Sequence, residues 1–167
     1  MSQTATFFVI DKKGLEFLQK ESQAEGANKK NWLGLLKKTP DTLLKKLESI
    51  TLEKINYRWS GLAFAIVAVF SKEKLHVDWD ALEYSDFANE LSSKTELGIY
   101  IFSINDQDLL KLKPTGLFYS EQELDQFAVD FEGKKPANPD IMKNAIKILD
   151  EALSKLTKEK LVLLLIK

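Results

Sequence analysis

Arg58–Phe70 reads RWSGLAFAIVAVF, and its apolar core, Gly61 to Phe70, carries no charge. How this stretch folds decides the architecture. It falls short of the roughly 18–20 apolar residues that a bilayer-spanning helix requires, as does every other segment of the chain. It also lacks the alternation of a half-exposed strand, although periodicity alone does not separate a buried strand from a buried helix. Ala63, Ala65 and Ala68, with Ser60 as a capping residue and a Ser-Lys-Glu-Lys exit, favour a buried central helix over 60–70. The Ile66-Val67 and Val69-Phe70 pairs pull toward a strand.

On either side of this stretch the signals alternate between strand and helix. TATFFVI (Thr4 to Ile10) is β-branched and aromatic and predicts an opening strand near 4–10, after which Asp11 caps a helix reaching about Gln23. Asn31 can cap a short helix holding Trp32, and Pro40 suits the first turn of another that carries Leu43, Leu44 and Leu47. VDWDALEYSDFANELSS sets Ala81, Tyr84, Ala88 and Leu91 on one helical stripe. LGIYIFSI predicts a strand over 97–104, with a further short piece near Leu117 to Tyr119. Ser120 with Glu123 forms a capping box for a helix that stops at Gly133. Asn138 and Pro139 open a helix through about Leu156, and KLVLLLIK is a strand over 160–166 buried on both faces, since it does not alternate. Three strands separated by long helical stretches predict an α+β fold: a small mixed sheet packed with several helices, in a single domain spanning 1–167.

Composition narrows the chemistry. The 167 residues are 44% hydrophobic and 29% charged, with a net charge of −1 and no cysteine. Disulfides, thiolate catalysis and cysteine-type zinc sites are therefore excluded. His76 is the only histidine, so a multi-histidine metal site is excluded too, and a Ser-His-Asp triad could run only through that residue. The N-terminus has no basic stretch before its apolar run and no small-residue cleavage site, which points to a cytoplasmic protein. Glycine-rich phosphate loops and the Gly-x-Ser-x-Gly elbow do not occur, and no cofactor is expected.

The Trp59-x-Gly61-Leu62-x-Phe64 pattern resembles the Trp-x-Gly-Leu-His segment of the YfbM-like family of uncharacterised bacterial proteins. FFVIDKKGLEFL, YSEQEL and ALSKLTKEKLVLLLIK fall in similar order along nearly the whole chain. Ala63 stands where that family tends to carry histidine. The resemblance implies a compact α+β domain and no catalytic residue.

Three groupings could carry function. HVDWDALE holds His76, Asp78, Asp80 and Glu83, which could ligate a divalent cation. Asp80 with Glu83 is equally a capping box, and acids in a first turn gain about 0.3–1 kcal/mol from the helix dipole. In NYRWSG, Arg58 and Trp59 could face a ligand, Arg58 being the only bidentate donor; alternatively Arg58 pairs with an acid and Trp59 is core. From Asp78 to Glu132 thirteen acids stand against Lys94, Lys111 and Lys113, a net of −10, whereas Asn28–Lys54 and Gly133–Lys167 are each +4. An acidic surface containing Glu121, Glu123 and Asp125 could steer a basic protein partner. Nucleic acid is a disfavoured partner for a slightly acidic chain with no matching motif. Two functions follow: an accessory or immunity-like binder using the acidic surface, or a small-molecule or metal-dependent hydrolase-type enzyme around Arg58 and His76-Asp78-Asp80.

Overall fold

The uncharged decamer is a helix. The computed structural model describes residues 4–27, 40–106, 119–133 and 140–167. In it Ala63, Phe64, Ile66, Val67 and Phe70 are all at most 1% exposed, on a helix spanning Leu62–Leu75. Its start is supported by Ser60, whose hydroxyl accepts from the Leu62 amide at 3.3 Å and whose carbonyl accepts from that of Ala63 at 3.1 Å.

In chain order the elements are β1 (Ala5–Asp11), α1 (Lys12–Ala27), α2 (Pro40–Ile50), β2 (Thr51–Tyr57), α3 (Leu62–Leu75), a 3₁₀ turn (Trp79–Ala81), α4 (Ser85–Thr95), β3 (Gly98–Phe102), α5 (Glu121–Glu132), α6 (Ile141–Leu153) and β4 (Lys160–Ile166). The four strands form one sheet in the order β2-β1-β4-β3. All three pairings are antiparallel, so the sheet is not mixed. β2 is a strand that the hydrophobic pattern did not announce, because its sequence TLEKINY belongs to an edge and buries only Ile55 and Tyr57. The helix that Asn31 would cap, and the strand piece at 117–118, lie outside the described residues; Tyr119 is in a bend.

Helices cover both faces of the sheet. On one, Phe7 and Val9 of β1 with Val162 and Leu164 of β4 pack against α3, α5 and α6. On the other, Phe8 and Ile10 with Leu161, Leu163 and Leu165 pack against α1, α2 and α4. An antiparallel sheet with one wet face would show alternation. β4 has no wet face: Leu161, Val162, Leu163, Leu164 and Leu165 are all buried.

Local signals set several ends. Asp11 Oδ1 accepts from the Gly14 amide at 2.6 Å, capping α1. The Ser120–Glu123 capping box is complete, and Gly133 ends α5 with a left-handed backbone (φ 67°). The segment after α3 behaves differently from its hydrophobic stripe. Ala81 is exposed in the 3₁₀ turn, and α4 begins only at Ser85. The break has a cause in main-chain donors: Asp78 Oδ1 takes the Asp80 amide at 3.1 Å and Asp106 Oδ1 takes that of Glu83 at 2.8 Å. With those groups satisfied by side chains, a continuous helix gains less.

Candidate functional site

α3 ends at His76, whose backbone is left-handed (φ 58°, ψ 32°), and the Val77 amide donates to Ser71 O at 3.0 Å. This turn directs the chain into Asp78, and the 3₁₀ turn then buries Trp79 edge-to-face against Tyr100 and Phe102 of β3. Beyond β3, the chain turns back through Ser103–Asp106 against Glu83. The Glu83 carboxylate accepts from the Ser103 hydroxyl and from Asn105 Nδ2, while Asp106 accepts from the amides of Glu83 and Ser103 at 2.8 and 2.7 Å. Each of the two acids holds the other's segment.

An open cleft of about 460 Å³ lies between these turns, lined by His76, Val77, Asp78, Ala81, Leu82, Asn105 and Asp106. It gathers two of the residues singled out from the sequence, His76 and Asp78. Asp80 and Glu83 do not line it. The carboxylates in it are engaged structurally. Asp78 forms an ion pair with Lys72 at 2.6 Å; that contact, together with the Asp80 amide, holds its carboxyl below the ordinary carboxylate range, and Lys72 is raised in return. Asp106 spends both oxygens on main-chain amides. No three histidine, aspartate or glutamate side chains converge on a metal-sized site among the described residues. Asp78 caps the turn, and the Asp80–Glu83 capping box expected from spacing does not form, because Glu83 is drawn to Ser103 and Asn105 instead.

Arg58 and Trp59 lie in the loop between β2 and α3, away from the cleft. Trp59 is 49% exposed rather than core, and Arg58 is exposed with no ion pair among the described residues. At Gly61, just after them, a Cβ would sit 2.8 Å from Thr4 O and 2.9 Å from Ile166 Cγ2, so the chain there passes tightly over the sheet.

The acidic segment is divided by the sheet. α4, with Asp86 and Glu90, sends Ala88 and Leu91 into one core, whereas α5 sends Leu124 and Ala128 into the other. The described acids of 78–132 do not form one face, since layer assignment follows the sheet and not the sequence. On α5, Glu121 is exposed and ion-paired with Lys143, and Glu123 is exposed in the capping box, where Ser120 holds its carboxyl below the usual range. Asp125 is half-buried on the same helix.

Ser103, Asn105 and Asp106 were missed in the sequence. The Asn-Asp pair after a strand signals a turn, but its bonding to Glu83, some twenty positions earlier, leaves no local trace. No protein-family model, curated protein or solved structure matches this chain.

Proposed function

We propose that this chain is a macromolecule-binding accessory or immunity-like protein of the cytoplasm that offers the acidic outer side of α5 to a basic protein partner. The observation that carries it is α5 itself. Glu121, Glu123, Asp125, Asp130 and Glu132 lie within its twelve residues, which contain no basic residue, and Phe131 beside them is 44% exposed. Charge of one sign steers an oppositely charged partner, and a half-exposed aromatic supplies an anchor. The Glu121–Lys143 pair is exposed. Exposed pairs contribute about 0–1 kcal/mol, so a partner's lysine or arginine can replace Lys143 at little cost. A likeness to the YfbM-like family is compatible with this proposal and adds no activity.

The hydrolase-type alternative has less behind it. It needs Arg58 to converge with His76, Asp78 and Asp80, and the cleft contains neither Arg58 nor Asp80.

The test is binding of a cross-linked and purified partner to the wild-type chain and to a variant carrying Glu121→Lys and Asp125→Lys with Glu123→Gln. Glutamine at position 123 keeps the capping box. Binding is expected to weaken steeply with salt and to fall further in the variant. Affinity indifferent to both salt and the substitutions would refute the proposal.

A further inference from the structure

The two edges of the sheet are finished differently. Thr4 and Lys167 exchange both of their main-chain hydrogen bonds, at 2.8 and 2.9 Å, which fixes the alternation across the whole sheet. With the observed register, Ile99, Ile101 and Ser103 turn their amides outward from β3, and Lys54 and Asn56 turn theirs outward from β2. At the β3 edge the outward amides on either side of Ile101 are already taken, that of Ile99 by Ser92 Oγ at 3.1 Å and that of Ser103 by Asp106 Oδ2 at 2.7 Å. At the β2 edge, no described residue takes the main-chain groups of Lys54 or Asn56.

A lysine in an edge strand normally guards it by projecting charge along the edge. Lys54 does not project in this way. Its ammonium lies 5.5 Å from the centre of the Phe8 ring and 3.2 Å from Glu48, so its charge is held over its own sheet. The exposed apolar side chains Leu52 (55%) and Trp59 (49%) stand at the two ends of this open strand.

We propose that β2 is a homodimer interface, pairing antiparallel with β2 of a second copy about a two-fold axis at Ile55. Charge disfavours the neighbouring registers. Centring the axis on Glu53 or Lys54 opposes identical charges, and centring it on Asn56 opposes Lys54 to Arg58. Centring it on Ile55 places Lys54 opposite Asn56 of the second copy and Glu53 opposite Tyr57, with no like charges facing. The outward amides and carbonyls of Lys54 and Asn56 then bond one another, and Ile55 meets its own copy where the side chains of a non-hydrogen-bonded pair approach most closely. Leu52 comes opposite Arg58 of the second copy. The contact is isologous and closes at two chains, giving one eight-stranded sheet from two four-stranded ones.

Sedimentation equilibrium of the full chain and of two surface variants tests this. Asn56→Lys opposes two lysines twice across the axis, whereas Asn56→Glu creates two opposite-charge pairs. The wild-type chain is expected to dimerise, the dimer Kd to rise roughly 2- to 30-fold with Asn56→Lys, and to fall by a similar factor with Asn56→Glu. Hydrogen exchange at the Lys54 and Asn56 amides should slow as concentration rises. A chain that stays monomeric throughout, or a dimer whose Kd is indifferent to both substitutions, overturns the proposal. Because both variants alter an exposed side chain of an edge strand, circular dichroism is expected to show them folded as the parent.

Discussion

Glu96 ends α4 with its backbone in the left-handed region (φ 59°, ψ 23°) and its amide bonded to Ser92 O at 2.9 Å. A side chain there costs energy that glycine avoids, and an acid at a helix C-terminus opposes the dipole. Glu96→Gly is therefore expected to stabilise the fold by about 0.5–1 kcal/mol, measured as a rise in the urea midpoint; a lowered midpoint would contradict this. Gly61 shows the reverse constraint. Its φ is an ordinary −59°, so conformation does not require glycine, but space does. Gly61→Ala would push a methyl against a main-chain carbonyl that cannot rotate away, and a loss of roughly 1–3 kcal/mol is expected in the same titration. In the sequence, Gly61 could be seen as part of a helix start. That it faces Thr4 and Ile166, at opposite ends of the chain, could not, because contact across that separation exists only once β1 and β4 have paired.

Among the elements, α1 and α4 are tied by a small polar network. Ser22, 7% exposed, donates to Glu90 Oε1 at 2.6 Å, and Lys94 donates to both Ser22 Oγ, at 2.8 Å, and Glu90. Lys94, and after it the Ser22 hydroxyl, hold the Glu90 carboxyl below its ordinary value. A carboxyl depressed by folding contributes stability above its unfolded pKa, and that contribution is lost as pH falls through the lower folded value. Glu90→Gln should thus be less stable than the parent at neutral pH, and the gap should narrow as the solution is acidified through the carboxylate range. Urea midpoints against pH check this; a gap constant with pH would rule out the carboxylate as its source. Caps at the element scale were legible: Asp11 and Ser120–Glu123 act within three residues, and such short-range donors and acceptors are fixed by spacing. The Glu83–Ser103 and Glu83–Asp106 bonds were not, and the hold of Asp106 on the Glu83 amide, with that of Asp78 on the Asp80 amide, is why the segment before Ser85 is a 3₁₀ turn instead of the first turn of a longer helix.

Across the whole molecule, β4 is the element shared by both cores. Leu163 is fully buried, pairs with Phe8 and Ile101, and lies in the layer with α1, α2 and α4. Leu163→Ala is expected to cost about 2–5 kcal/mol. Because β4 joins the layers, the loss should appear as one transition. In a background carrying Trp32→Phe and Trp59→Phe, Trp79 fluorescence reports the opposite layer, and it is expected to change together with the helical circular dichroism. Two separated transitions would show the layers to be independent units.

The sequence by itself determined the double-sided burial of the last strand, several helix ends and the α+β class, and it favoured a buried helix over 60–70 without excluding a strand, since each depends on runs, spacings and caps within a few residues. Only the tertiary structure decided that β2 joins the sheet as an edge, that the acids of α4 and α5 fall in opposite layers, and that Asp78 and Glu83 serve turns. These outcomes depend on which face of the sheet each helix covers and which distant donors reach a carboxylate. Both are set by long-range packing, which leaves no periodicity in the chain.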